Sequence, residues 1–317
     1  MTSDNGASAR PSARVDRAAP VVPGQSARGR LTAPETMDDS AHSGTRSEGG
    51  VRRMSRRRLD EAIRSLSPRD RAVLQSVHDF GLLRTTHLQQ LHFTDHATPE
   101  GAARICRRVL RALADRRFIE PIERRIGGIR AGSEGTVWRI GPAGHRLLRD
   151  GDPEAPRARR REPSLRFLEH RMLVADVVCG LTTAANSGSF ELVDVAPEPR
   201  SWRTYSGHHG SREVLKPDLF VVTATDDYED HWFVEVDRGT ESVPTLLKQC
   251  VQYERYRRSG TEQRTAGLFP RVLWLVPDLR RRDRITAAIR ADGQLDGDLF
   301  RVEVYAALLG VVTGGAS

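Results

Sequence analysis

Two stretches of this 317-residue chain carry no apolar periodicity, residues 1 to about 55 and residues 151–163, and they bound what can fold. The first is rich in Ser, Ala, Gly, Pro and Arg and reads as a disordered basic tail. The second, running from Gly151 to Pro163, reads as a linker. Patterned sequence lies between and after them. The expected organisation is therefore a tail (1–58), a first domain (59–150), the linker (151–163) and a second domain (164–310).

The first patterned segment opens at Ser67-Pro68-Arg69-Asp70, a serine cap, a proline at the first helical position and an acid three residues on. The helix it starts carries Val73, Leu74, Val77 and Phe80 and stops at Gly81. A short helix over 85–92 follows, then one from Thr98-Pro99 to about Arg117. At about 100° per residue, Arg104, Arg107, Arg108 and Arg111 fall in one narrow stripe of that third helix. Ala102, Ile105, Val109 and Leu113 fall opposite. Two strand-like pieces, 118–125 and 136–140, flank a loop holding Gly127, Gly128, Arg130 and Gly132. Three helices followed by a Gly/Arg-rich hairpin is the order of a winged helix-turn-helix. The third helix would enter the major groove of double-stranded DNA, with Arg124, Arg125 and Arg130 of the wing at phosphate height. A net charge of +8 agrees with a polyanionic partner.

The second segment reads α-β-β-β-α-β, then α-β. Its helix begins at Ser164, and strand-like runs lie at 190–195, 215–223 and 231–237. A helix follows over 243–258, then a strand over 271–276 that is apolar without alternation and so is expected to be covered on both faces. A helix over 283–290 and a strand over 300–305 close the pattern. The fold class expected is α+β in two parts, the second built on a mixed central sheet.

Lys216 and Lys248 are the two lysines among 50 basic residues, and they bracket the densest group of acids, Asp218, Glu235 and Asp237. Side chains two apart share a strand face, so Glu235 and Asp237 are expected to point the same way, as are Lys216 and Asp218. Clustered carboxylates repel unless a cation sits among them, and hard oxygen ligands suit Mg²⁺ or Mn²⁺. Such an ion can hold a phosphate oxygen and acidify an attacking water, while an ammonium balances developing charge.

These residues resemble a known pattern. Pro217-Asp218 followed on the next strand by Glu235-Val236-Asp237 is similar to the PD-(D/E)xK nuclease signature. The resemblance implies that Asp218 and Glu235 hold the metal, with a lysine assisting. Asp237 stands where that lysine belongs, which leaves Lys248 and Lys216 as the candidates to replace it. Gln249 and Tyr253 resemble the Gln/Tyr motif of RecB-like members, and His170, beside Glu169, matches the histidine that branch takes from an earlier helix.

The chain also resembles the replication-relaxation family of plasmid and mobile-element proteins. The carrying stretches are 66–70, 127–132, Phe167-Leu168-Glu169-His170, 215–218 and 233–242. This resemblance implies a DNA-binding role in plasmid replication or DNA relaxation. Three roles stay open: a metal-dependent nuclease or nickase, a non-catalytic accessory or regulator whose second domain only binds or dimerises, and a binding module for a relaxase or helicase. Cys106, Cys179 and Cys250 are widely spaced, which argues against a structural zinc or a disulfide framework and fits a reducing compartment. No run approaches the roughly 18 apolar residues of a membrane span, so a cytoplasmic, nucleoid- or plasmid-associated protein is expected.

Overall fold

The computed structural model describes residues 55–122, 135–149, 163–207, 210–225 and 228–314. Most of the tail, Arg124, Arg125, Arg130 and most of the 151–163 stretch lie outside the described residues. The described residues belong to one compact unit. Its class is α+β with a mixed central sheet.

The first half is helical with a small sheet. Helix α1 (Arg56–Arg64) starts within the expected tail, capped by the Ser55 side chain. Helix α2 (Pro68–Phe80) forms where its cap demands: Ser67 Oγ accepts from Asp70 N at 3.1 Å and the Asp70 carboxylate accepts from Ser67 N at 3.0 Å. It ends at Gly81, whose φ of +72° suits glycine best. Strand β1 (Leu83–Arg84), helix α3 (Thr85–His92) and helix α4 (Pro99–Asp115) follow. Strands β2 (Ile119–Pro121) and β3 (Val137–Ile140) complete an antiparallel sheet of order β1-β3-β2, and helix α5 (Pro142–Arg149) closes this half. On α4 the deepest residues are Ala102, Cys106, Leu110 and Leu113, with Ile105 and Val109 partly buried beside them. The buried stripe is thus centred slightly further round the helix than the Ile105/Val109 line expected from spacing.

The second half is built on a five-stranded sheet of order β10-β9-β8-β7-β4. Helix α6 (Leu165–Asn186) precedes β4 (Glu191–Pro197), which pairs antiparallel with β7 (Leu219–Ala224) and through it with β8 (Glu229–Val236). Helix α7 (Val243–Ser259) and the short α8 (Thr261–Ala266) carry the crossover to parallel β9 (Arg271–Val276). Helix α9 (Leu279–Ala291) carries the next crossover to parallel β10 (Phe300–Val304), and α10 (Leu308–Val312) follows. The run expected as one strand over 215–223 is divided. Strands β5 (Arg203–Ser206) and β6 (Arg212–Leu215) form a separate two-stranded ribbon, and Pro217, which has no N–H to offer a ladder, stands between β6 and β7.

The sheet is covered on both faces. Trp232, Val234, Val236, Leu273 and Leu275 pack with α6, and this core continues into Val73, Leu74, Leu88 and Leu110 of the helical half. Phe233, Val272, Trp274 and Val276 point the other way, onto Tyr253 and Tyr256 of α7 and Ile285 and Ile289 of α9. Strand β9 is buried on both sides, as its unbroken apolar run predicts. Helices α3 and α6 also meet through polar groups: buried His87 contacts Asp176 Oδ1 at 2.9 Å, and His87 Nδ1 accepts from Arg84 N. Because Nδ1 accepts, Nε2 carries the proton toward Asp176. Among the described residues no helix is long and apolar enough to cross a membrane.

Candidate functional site

A cleft of about 330 Å³ opens where the start of α6, the connection into β7, the end of β8 and the first turns of α7 converge. Its lining includes His170, Asp218, Glu235, Asp237 and Gln249. Alternation along β8 explains the first step. Phe233 faces α7, so Glu235 two residues on faces α7 too, and the Tyr253 hydroxyl donates to Glu235 Oε1 at 2.6 Å. The antiparallel register pairs Leu219 with Val234, which brings Asp218 alongside Glu235 just before the start of β7. There the Asp218 side chain continues the ladder in place of backbone: Oδ2 accepts from Val236 N at 2.8 Å. Its other oxygen, Oδ1, lies 2.9 Å from His170 Nε2 on α6.

The electrostatics follow from this crowding. Burial, and then the negative charge of Asp218, push the Glu235 carboxyl well above its ordinary pKa, against the smaller opposing effect of the Tyr253 hydrogen bond. Burial and the neighbouring Glu235 push the Tyr253 phenol up in turn. For His170, burial favours the neutral ring, but the hydrogen bond and charge of Asp218, with the charge of Glu198, outweigh it and raise its pKa. Gln249 adds a further acceptor, since its Oε1 is buried with no hydrogen-bond partner among the described residues.

Asp237 is held differently. It follows the end of β8, and its carboxylate is gripped by Arg281 of α9 through bonds of 2.7 and 3.1 Å and by Gly239 N at 3.0 Å. Arg281 also donates to the Glu241 carbonyl at 2.7 Å, so one guanidinium ties α9 to the β8–α7 connection. Sequence reasoning missed Arg281. It stands in the run Arg280-Arg281-Arg282, where nothing local distinguishes the arginine that turns inward.

Neither lysine lines the cleft. Lys248 is exposed on the far side of α7, in a groove with Leu247, Val251, Arg255 and Asp292. Lys216 is also exposed, its ammonium 4.6 Å from the ring centre of Trp202. The separation of β6 from β7 removes the shared strand face expected for Lys216 and Asp218. The cations at the cleft are arginines. Arg166 of α6 pairs with Glu241 at 3.2 Å, and Arg238 pairs with Glu169 while donating to the Arg166 carbonyl at 3.3 Å. Among the described residues, no three His, Cys, Asp or Glu side chains are grouped as a metal cage.

On α4, Arg104, Arg107, Arg108 and Arg111 are all exposed. None of the four has a hydrogen bond or ion pair among the described residues. Their helix is anchored by its opposite, apolar side.

The replication-relaxation family model matches residues 74–272, from within α2 to within β9. The match takes in the α4 arginines, His170, Asp218, Glu235, Gln249 and Tyr253. No curated protein and no solved structure matches the chain significantly. With the family model covering more than half of its length, the chain belongs to the replication-relaxation family.

Proposed function

We propose that this protein binds duplex DNA in plasmid or mobile-element replication, with residues 59–150 acting as a winged helix-turn-helix and residues 164–310 as a PD-(D/E)xK-like domain. The observation that carries the reading is the row Arg104, Arg107, Arg108 and Arg111, exposed and, among the described residues, unpartnered on a helix whose back is buried. Acids at helical spacing flank only the ends of the row, Glu100 four residues before Arg104 and Asp115 four after Arg111, and none stands three or four residues from Arg107 or Arg108. Phosphate contacts release counterions, so affinity for a duplex falls as salt rises. Removing Arg107 and Arg108 together flattens the slope of log K against log salt by about 1.8 if each meets one phosphate. An unchanged slope and affinity would place duplex binding elsewhere.

For the cleft, the donor chemistry fits a hard divalent cation. Asp218 and Glu235 are adjacent and repel each other, and the orphaned Gln249 Oε1 supplies a third oxygen. Those residues would hold Mg²⁺ or Mn²⁺, which when bound would polarise a phosphodiester and acidify water. Asp237 acts in this reading by positioning, through Arg281, the loop that follows Glu235. His170 orients Asp218 and sets which of its oxygens faces the cleft. Lys216 and Lys248 stand too far round the fold to balance charge there.

A second reading, a non-catalytic cleft that binds DNA or a replication or relaxase protein, or that dimerises, is favoured by that same displacement of both lysines. Supercoiled plasmid incubated in Mg²⁺ or Mn²⁺ separates the two. Nicking lost in both Asp218→Ala and Glu235→Ala supports the nuclease. Plasmid bound but left intact supports the second reading.

A further inference from the structure

Two arginines at the mouth of the cleft have a chemistry that the metal-site reading does not use. Arg166 sits in the first turn of α6 and Arg238 in the β8–α7 connection, so they approach the opening from separate elements. They are nonetheless linked, because Arg238 donates to the Arg166 backbone carbonyl. Both have carboxylate partners, and the two pairs differ in how open they are to solvent. The Arg166 side chain is 67% exposed and its Glu241 partner 33%. The Arg238 side chain is 18% exposed and its Glu169 partner 36%. The exposed Arg166 pair contributes little, so exchanging its carboxylate for a phosphate costs little, and Arg238, though more buried, lines the same opening. Guanidinium groups match phosphate oxygens with two parallel N–H donors, which lysine does not.

The third feature is Phe167, next to Arg166 and also lining the cleft. The residue stays 43% exposed, a poor position for a phenylalanine unless something covers it. The Arg171 guanidinium, 5.3 Å from the ring centre, stands over one face, which leaves the remaining surface for a flat partner. Cationic groups beside an exposed ring make the combination by which proteins hold single-stranded nucleic acid: charge follows the backbone and the ring carries a base. A cleft of about 330 Å³ admits a nucleotide-sized group but not a duplex.

We infer that Arg166 and Arg238 form a clamp for the phosphodiester of a single DNA strand, releasing Glu241 and Glu169 to do so, while Phe167 carries a base of that strand. The inference rests on reading the cleft as a nucleic-acid site, and it is independent of duplex binding through α4. It gives the molecule two DNA surfaces of different kind, an arginine row for duplex and a ring-and-clamp cleft for an unpaired strand.

The test is fluorescence anisotropy on the full chain in EDTA, with a labelled oligothymidylate of about 12 nucleotides and, separately, a labelled duplex. The double variant R166A/R238A is expected to bind the oligonucleotide about tenfold or more weakly, with a salt slope flatter by about 1.4. F167A is expected to weaken it by about fivefold or more. E241Q is the decisive arm because it predicts a gain, tighter oligonucleotide binding, that misfolding cannot mimic. It removes a competitor for Arg166 and leaves intact the Glu241 backbone carbonyl that Arg281 uses.

Oligonucleotide binding unchanged in R166A/R238A, or no tighter in E241Q, overturns the clamp. Equal losses for oligonucleotide and duplex in R166A/R238A overturn the single-strand assignment. R107A/R108A separates the two proposals. Duplex binding lost there while R166A/R238A still binds oligonucleotide normally leaves the α4 reading standing and the clamp refuted. Duplex binding retained there while R166A/R238A loses the oligonucleotide gives the reverse.

Discussion

Replacing Arg281 with alanine asks what the Asp237 carboxylate is for. The Asp237 side chain is 1% exposed and that of Arg281 10%, so the pair is sealed from solvent. Alanine at 281 removes two charge-assisted bonds to Asp237, of 2.7 and 3.1 Å, and the donor to the Glu241 carbonyl. What remains is a buried carboxylate facing only the Gly239 N–H. Removing one member of a buried pair costs about 3–5 kcal/mol, mostly because the surviving charge is stranded. For a folded unit of this size each kcal/mol lowers Tm by about 2–4 °C, so a fall of roughly 6–20 °C is expected. Urea denaturation followed by tryptophan fluorescence reports it, since buried Trp232 and Trp274 flank the sheet. Asp237→Asn on the Arg281→Ala background should recover part of the loss, because the stranded charge is gone and the two positions are coupled. A loss below about 1 kcal/mol, the worth of an exposed pair, would refute the reasoning.

Two further outcomes follow from the cleft. Because the folded-state pKa of Glu235 is raised, its protonated form stabilises the fold fully below the unfolded carboxyl pKa, and that contribution is lost as pH rises through the folded value. Glu235→Gln lacks this decline, so its stability advantage over wild type should grow from acid toward neutral pH in urea titrations; parallel pH profiles would count against a strained carboxyl. Tyr253→Phe removes the hydroxyl that serves Glu235 Oε1 and is expected to cost about 1–3 kcal/mol of stability, with no measurable loss showing that the bond contributes nothing.

Much of the local structure was legible because its causes are local. Ser67 with Pro68 and Asp70, Ser164 before α6, and Ser242 before α7 each mark a helix start, and each side chain caps its helix. The same local grammar left gaps where structure depends on distant packing. Helix α1 rests on a single serine cap within a basic run, and the β5–β6 ribbon has no period-two alternation of its own. It is held through Tyr205, whose ring packs against Tyr256 of α7 and whose hydroxyl donates to Glu213.

The site divides along the same line. Helical phase alone argues against Lys248 at the cleft: it lies about 200° around α7 from Leu246, while Gln249, Cys250 and Tyr253 lie within about 60° of it. Alternation within β8 likewise assigns Glu235 to the face of Phe233. By itself the sequence determined the helix starts, the basic front and apolar back of α4 and the face of β8 that carries Glu235, while the register that sets Asp218 opposite Glu235 came from the fold. Tertiary structure alone decided that His170 reaches Asp218, that Arg281 rather than Arg280 or Arg282 seals Asp237, and that arginines rather than lysines stand at the cleft. Those contacts join residues 44 to 75 positions apart. They depend on which way whole elements are turned when the core closes, a choice made by the summed burial of many side chains and written in no single stretch of the chain.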